Sequence, residues 1–299
     1  MNLLRSNKGS SLIIFTITIT IVLGIAALTL DIGDVVIEKA KLSNAVDAAT
    51  IAGAQELVTD KFNAANVVDE YMDTNVSDYI NLKKVIDSDD RGIEVSSEKN
   101  VKYFFANVLG FNNKNVKATA KARVENISSL KGIRPIAVVQ QTFTYGKLYT
   151  LKEGGGGGST GNYAPIDLGG TGARVYGDNL LNGYSGTINV GDIILTETGN
   201  IAGATQTSIN SIIGQCADTY DNYSLNCPRV LFLPVVNTLS VNGKKAIQVL
   251  GFATFFLEGF SNDVNGQVDV IGRFITYCMD GKTSSTISDF GTYGIRLVK

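Results

Sequence analysis

The cysteines are the residues of this sequence whose type and spacing most directly suggest chemistry. Cys216 and Cys227 enclose ten residues, and a disulfide that closes a loop of this length stabilises a protein by roughly 2–3 kcal/mol. Cys278 follows Tyr277 at the end of an apolar run and is expected to be a buried thiol on a strand. We predict a disulfide between Cys216 and Cys227, with pairing of Cys278 to either of them as the alternative.

Histidine is absent from all 299 residues, and this excludes several classes of enzyme. Ser-His-Asp catalysis, Cys-His catalysis and nearly all zinc sites use this residue. Pairs of acids can hydrolyse glycosidic bonds, but the sequence does not place Asp192, Glu197 and Glu258 in one cleft. The net charge of -2 argues against a nucleic-acid partner. We therefore predict no enzymatic activity and no catalytic, metal-binding or cofactor-binding site.

Two loops resemble ligand-binding motifs without completing them. The glycine run 154–158 is followed by Ser159 and Thr160 and lacks the lysine of a phosphate-binding loop. The acidic turn 87–92 lacks the further spaced ligands of an EF-hand. We predict that both are solvated surface loops. Several tyrosines lie in the glycine- and asparagine-rich stretch around the glycine run, and they could form adhesive contacts or be half-buried strand residues: Tyr145, Tyr149, Tyr163, Tyr176 and Tyr184.

A charge-free apolar stretch at residues 12–30 must organise the rest of the chain. As a helix it would be roughly 28 Å long, close to the ~30 Å hydrocarbon core of a bilayer. It exceeds the usual apolar region of a signal peptide, and it shows no polar face typical of a soluble core helix. We predict a single membrane span. The basic leader 1–11 would stay in the cytoplasm and the bulk of the chain would be extracellular.

The leader ends in Lys8-Gly9-Ser10, which suggests a prepilin-type processing site with cleavage after Gly9. Prepilins usually carry a glutamate at the fifth mature position, where this chain has Ile14. A carboxylate in lipid needs a partner, so its absence weakens the motif. An uncleaved signal anchor is the favoured interpretation, and cleavage between Gly9 and Ser10 is the alternative.

The helical pattern continues beyond the span to about Thr59. Ala45, Ala49 and Ala52 recur at helical spacing with Gly53 beside them, and small residues on one face let another helix or a sheet approach closely. We predict that this helix-packing stripe makes the outer half of the helix the spine of the first extracellular domain.

The residues from Lys8 to Leu57 resemble the start of the TadE/TadG-like proteins of the tight-adherence (Flp) pilus system. The resemblance rests on the basic residue and glycine before the span, on Ala27-Leu28-Thr29-Leu30-Asp31 leaving it, and on the small-residue helix from Lys41 to Ala54. It extends over about residues 5–125. It implies a membrane-anchored protein that contacts other pilus or pilus-assembly proteins.

The remaining patterns predict an α+β protein with five segments. A helix is predicted at 62–76, a hairpin about the turn 87–92, a helix at 101–109 and an alternating strand at 116–124. Short Val- and Ile-rich runs predict a mainly-β sandwich or barrel with one helix near 207–213 and a hairpin turn at Asn242-Gly243. The predicted segments are a leader 1–11, a transmembrane helix 12–30, a pilin-like α+β head 31–125, a linker 126–132 and a mainly-β extracellular domain 133–299.

Two function classes follow from these patterns. The first is a membrane-anchored, non-catalytic pilus-assembly or minor-pilin-like component, which could form a homo-oligomer through its N-terminal helix. The second is a surface-anchored adhesin or ligand-binding ectodomain whose working surface lies in the loops of residues 133–299.

Overall fold

A computed structural model describes residues 8–153, 162–197, 201–224, 226–239, 244–262 and 266–298. These fall into two compact units. Unit 1 runs to Arg123 and includes a short C-terminal segment from Leu297, and unit 2 comprises Val124–Arg296. The predicted α+β class, with a long N-terminal helix and a mainly-β C-terminal region, is confirmed. The glycine run 154–158 and the predicted turn at Asn242-Gly243 lie outside the described residues.

The first helix, α1 (Lys8–Thr59), is continuous over 52 residues, or about 78 Å. It is the one helix among the described residues that is long and apolar enough to cross a membrane. Large side chains of the predicted span lie on its surface, from Leu12 (68% exposed) to Leu30 (61% exposed). All four threonines of the span donate their hydroxyls to the carbonyl four residues earlier, at 2.8–2.9 Å. The segment therefore exposes apolar groups while its side-chain hydroxyls are satisfied within the helix.

Unit 1 continues with α2 (Ala64–Asn75) and the antiparallel strands β1 (Tyr79–Ile86), β2 (Gly92–Lys102) and β3 (Asn113–Lys131) in the order β1-β2-β3. The predicted helix at 62–76, the hairpin and the alternating strand are thereby confirmed. The segment 103–112, here called the tip, connects β2 to β3 and contains a short 3-10 helix, Ala106–Leu109.

Two predictions for this region are wrong. The helix expected at 101–109 is a strand end followed by the tip, because β2 keeps its inward alternation through Val101 and pairs with β3 as far as Lys102. The linker expected at 126–132 is mostly strand, because β3 continues to Lys131 and contributes to both units. Residues of β3 in unit 2 pair with two short strands, β7 (Thr187–Asn189) and β13 (Lys282–Ser284).

The remaining strands follow in chain order: β4 (Ile136–Val139), β5 (Leu148–Glu153), β6 (Asn162–Asp167), β7 (Thr187–Asn189), β8 (Ile193–Thr196), β9 (Val230–Val236), β10 (Ala246–Asn262), β11 (Val268–Ile275), β12 (Tyr277–Cys278), β13 (Lys282–Ser284) and β14 (Thr292–Val298). In unit 2 the pairings β11-β5-β6-β4-β9-β10 close through a β10–β11 pair. Of the predicted sandwich or barrel, this ring of six strands corresponds to the barrel.

Two helices pack on the strands of unit 2, where one was predicted. They are α3 (Ala173–Asn182) and α4 (Ala202–Gln215). The sequence hides α3 because Gly177 lies in its middle. That glycine is a packing residue: a Cβ there would lie 3.4 Å from the Ala204 Cβ, and the Ser208 hydroxyl donates to the Gly177 carbonyl at 3.0 Å.

Candidate functional site

Asp31, the first residue after the predicted span, binds the tip through its carboxylate. Its oxygens accept hydrogen bonds from the backbone N–H groups of Phe104 at 2.8 Å, Phe105 at 3.1 and 3.2 Å, and Ala106 at 2.6 Å. These donors lie at the start of the 3-10 helix, where N–H groups have no partner within the helix. The carboxylate of Asp31 supplies the acceptor that these N–H groups lack.

The surroundings of Asp31 favour its ionised form. The side chain is only 2% exposed. Burial raises the pKa of this carboxyl, but the three backbone hydrogen bonds outweigh it and hold the pKa below its ordinary value of 3.8. Asp31 is therefore a buried anion that fastens the tip to the helix.

The helix-packing stripe is buried inside unit 1. Ala45 is 2% exposed, Ala49 is fully buried and Ala52 is 6% exposed. A Cβ at Gly53 would lie 2.6 Å from Val68 Cγ2 on α2 and 3.2 Å from the Ile93 side chain on β2. The small residues thus let α2 and the sheet approach α1 closely.

An ion-pair cluster joins α1 to β2. Glu38 pairs with Lys41 at 2.6 Å and with Lys99 at 2.7 Å. The hydrogen bonds from Lys41 and Lys99, in that order, lower the pKa of Glu38. This cluster and Asp31 lie in the turns of α1 that directly follow the apolar segment. These turns are where β2 and the tip are attached to the helix.

The carboxylates of the acidic turn 87–92 form ion pairs with basic side chains of the same chain. Asp87 pairs with Lys121 and Arg123, both at 2.7 Å, and Arg123 also pairs with Asp89. The hydrogen bond from Arg123 lowers the pKa of Asp89. These carboxylates therefore stabilise the hairpin.

The acids considered for glycoside hydrolysis have separate partners. Asp192 accepts from the Asn189 backbone at 2.8 Å, Glu258 pairs with Arg273 at 2.7 Å, and Glu197 accepts from the Gly172 backbone at 2.9 Å. Their local hydrogen bonds give each of them a structural role.

One acid of this region, Asp167, was not singled out in the sequence. It forms an ion pair with Lys244 and lies beside Glu197. Burial first, and the neighbouring Glu197 carboxyl second, raise the pKa of Asp167. Three residues so distant in the sequence carry no shared pattern, so only the fold reveals this cluster.

Cys216 and Cys227 form the predicted disulfide, with Cα atoms 5.8 Å apart. Asp218 lies beside them, but the two sulfur atoms are bonded to each other, which leaves no pair of thiolates for a metal ion. Cys278 lies on the short strand β12 and is half-buried. Burial raises the pKa of the Cys278 thiol to about 11, which keeps it protonated and unreactive at neutral pH.

The tyrosines considered for adhesion are mostly interior residues. Tyr149, Tyr163 and Tyr176 are at most 5% exposed, and the Tyr163 hydroxyl donates to the Val268 carbonyl at 2.8 Å. Tyr145 is 39% exposed and Tyr184 is half-buried. The tyrosines therefore do not form a continuous exposed patch.

The predicted processing site lies at the beginning of α1. Gly9 and Ser10 lie in α1, whose first described residue is Lys8. Cleavage between them stays a prediction.

Comparison with known families supports the resemblance of the N-terminal region. A family model described as putative Flp pilus-assembly TadE/G-like matches residues 9–56. The match is shorter than the 5–125 expected and falls entirely on α1, including the apolar segment, Asp31 and the helix-packing stripe. No curated protein and no solved structure gave a significant match.

Proposed function

We propose that this chain is a membrane-anchored, non-catalytic component of a Tad/Flp-type pilus system that acts through protein contacts outside the membrane. The observation that carries the proposal is the family match at residues 9–56, which coincides with α1. The apolar half of that helix exposes its side chains, and the other half contributes buried residues to the core of unit 1.

Membrane anchoring is supported by the chemistry of the helix surface. The segment 12–30 has no charged side chain, and its threonine hydroxyls are satisfied by the helix itself. Such a surface is stable in hydrocarbon, where an unsatisfied hydroxyl would be costly. Arg5 and Lys8 precede the span, so the N-terminus is assigned to the cytoplasm and the two units to the other side.

The burial of the helix-packing stripe limits how copies could associate. Ala45 and Ala49 are buried within the chain, and Gly53 packs against the chain's own α2 and β2, so these residues are not free for a second copy. A homo-oligomer through the N-terminal helix would therefore use the exposed segment 12–30. Contacts with other pilus proteins are assigned to the units outside the membrane.

Deletion of the coding sequence in the producing cells, followed by counting of surface pili by electron microscopy, tests the role. We expect few or no pili, and recovery when the wild-type chain is re-expressed. Normal pilus number with lost surface attachment would favour the adhesin alternative. Normal pili and normal attachment would refute both roles.

N-terminal sequencing and intact mass of protein from the membrane fraction distinguish the two forms of the anchor. A chain that begins at or next to Met1 is a permanent signal anchor and fits a tethered assembly component. A chain that begins at Ser10 has been processed after Gly9 and fits a filament subunit.

A further inference from the structure

The tip exposes large apolar side chains and carries no charge. Among residues 103–112, Phe104 is 74% exposed, Phe105 49%, Val108 87%, and Phe111 63%. Four such side chains in one ten-residue connection are unusual on a surface in contact with water. The tip therefore has the composition of a surface that another apolar phase covers.

The tip lies beside the apolar segment of α1. Phe105, Ala106 and Val108 line a recess of about 410 Å³ together with residues 21–28 of the helix. Gly24 leaves this part of the helix surface open, since a Cβ there would meet no described heavy atom within 4 Å. The recess is therefore lined by apolar residues of both the predicted span and the tip.

The position of the recess along the helix sets its depth in a membrane. Ile21 precedes Leu30, the last residue of the span, by nine residues, which is about 13 Å along the axis. Half of a hydrocarbon core is ~15 Å thick. If the span crosses a bilayer, the tip lies alongside the outer half of the same hydrocarbon layer.

Most backbone N–H groups of the tip, seven of the ten, have an acceptor within the chain. Asp31 accepts from the N–H groups of residues 104–106. Tyr103 donates to the Asn112 carbonyl, Val108 to Phe105, Gly110 to Asn107 and Phe111 to Ala106, at 3.0–3.2 Å. Irregular backbone at membrane depth requires this kind of internal satisfaction.

Charged residues flank the tip at both ends. Lys102 at the end of β2 and Lys114 at the start of β3 are exposed, and Tyr103 adjoins the first of them. Lysine and tyrosine at this position suit the headgroup level, where an apolar stem and a polar end are both satisfied.

We propose that the tip is a second membrane-contacting element, which inserts Phe104, Phe105, Val108 and Phe111 among the lipid acyl chains of the outer leaflet. The proposal rests on the membrane anchoring proposed above. Lipid is the occupant that the structure favours, because the exposed surface of the tip is continuous with that of the span. The function of Asp31 is then to satisfy the tip backbone at the level where it enters the membrane.

The absence of tryptophan allows a direct test with single reporters in the full chain. Val108→Trp reports on the tip and Phe15→Trp on the span. Phe62→Trp is the aqueous control, since Phe62 is 85% exposed and follows α1 at the opposite end from the span. Each variant is reconstituted into phosphatidylcholine–phosphatidylglycerol vesicles with brominated acyl chains, which quench tryptophan in the hydrocarbon, and is titrated with acrylamide, which quenches it in water.

We expect Val108→Trp and Phe15→Trp to lose emission in brominated lipid and to resist acrylamide, and Phe62→Trp to behave in the opposite way. Bromine quenching of Phe15→Trp together with acrylamide quenching of Val108→Trp would overturn the tip proposal and leave the anchor intact. Protection of Val108→Trp from both quenchers would also overturn it, because a protein partner would then cover the tip. Lack of bromine quenching at Phe15→Trp would overturn the anchor and the tip proposal with it.

Discussion

Gly53→Ala tests whether the contact of α1 with α2 is as tight as the structure indicates. An alanine Cβ at this position would lie 2.6 Å from Val68 Cγ2, well inside normal contact distance. Val68 is fully buried and β-branched, so its side chain has little freedom to turn away. Ile93 Cδ1, at 3.2 Å, is the end of a longer side chain and gives way more easily.

Two opposing effects determine the free energy of unfolding of this variant. Alanine in place of glycine in a helix interior is worth about 0.5–1 kcal/mol. Overpacking of a full core costs about 1–3 kcal/mol. The clash is therefore expected to prevail, and we predict a net destabilisation of unit 1 by about 1 kcal/mol.

Gly33→Ala is the matched control, because it is the same substitution in the same helix. A Cβ at Gly33 would meet no heavy atom of the described residues within 4 Å. Only the propensity effect remains there, so this variant should be neutral or stabilising by up to about 1 kcal/mol.

Hydrogen exchange of the detergent-solubilised full chain measures both effects. For Gly53→Ala, amides of α2 and β2 should exchange about five-fold faster for each 1 kcal/mol lost. Adding Val68→Ala should restore part of the loss relative to the sum of the single variants, because it vacates the space that the Cβ needs. Gly53→Ala that slows exchange as Gly33→Ala does would refute the tight contact.

Two further predictions concern other parts of the chain. Asp31→Asn should speed amide hydrogen exchange at residues 104–106, because one acceptor oxygen of the side chain becomes an N–H donor. In the wild type, protection of these amides should be full above the ordinary carboxyl pKa and should disappear as pH falls through the lower pKa of folded Asp31. Protection that persists in the variant would contradict the assigned contact. Replacing both Cys216 and Cys227 by serine should lower the free energy of unfolding of unit 2 by about 2.8 kcal/mol, because the loop entropy of the unfolded chain increases. Cys278→Ser, which removes the free thiol, is the control. Equal stability of the two variants in denaturant titrations would argue against a structural disulfide.

Local patterns in the sequence are sufficient for the elements whose environment is set by neighbours along the chain. The absence of charge at residues 12–30 predicts an exposed apolar helix, and the alternation at 116–124 predicts part of β3. Small residues at 45–53 predict a close helix contact because only they allow one, although the partners α2 and β2 could not be named from spacing. The cysteine pair was predictable because a short loop brings the two residues together.

Long-range contacts explain what the sequence did not reveal. Asp31 and Phe104 are 73 positions apart, and nothing local in either segment indicates that one carboxylate accepts from the other's backbone. The cluster of Asp167, Glu197 and Lys244 was missed for the same reason. Gly177 concealed α3 because a helix-breaking residue was used to let α4 approach.

The segment wrongly predicted as a helix at 101–109 includes exposed apolar residues of the tip that bear on function. The pattern predicted a helix there, and in the structure Phe104 and Val108 are exposed residues of the tip. The exposure of these side chains conflicts with the usual burial of large apolar residues only if water surrounds the tip. Residues 21–28 of α1, which line the same recess, are apolar and exposed in the same way. In the membrane arrangement proposed above, a bilayer would surround both surfaces, and the apolar composition of the tip would then match its surroundings.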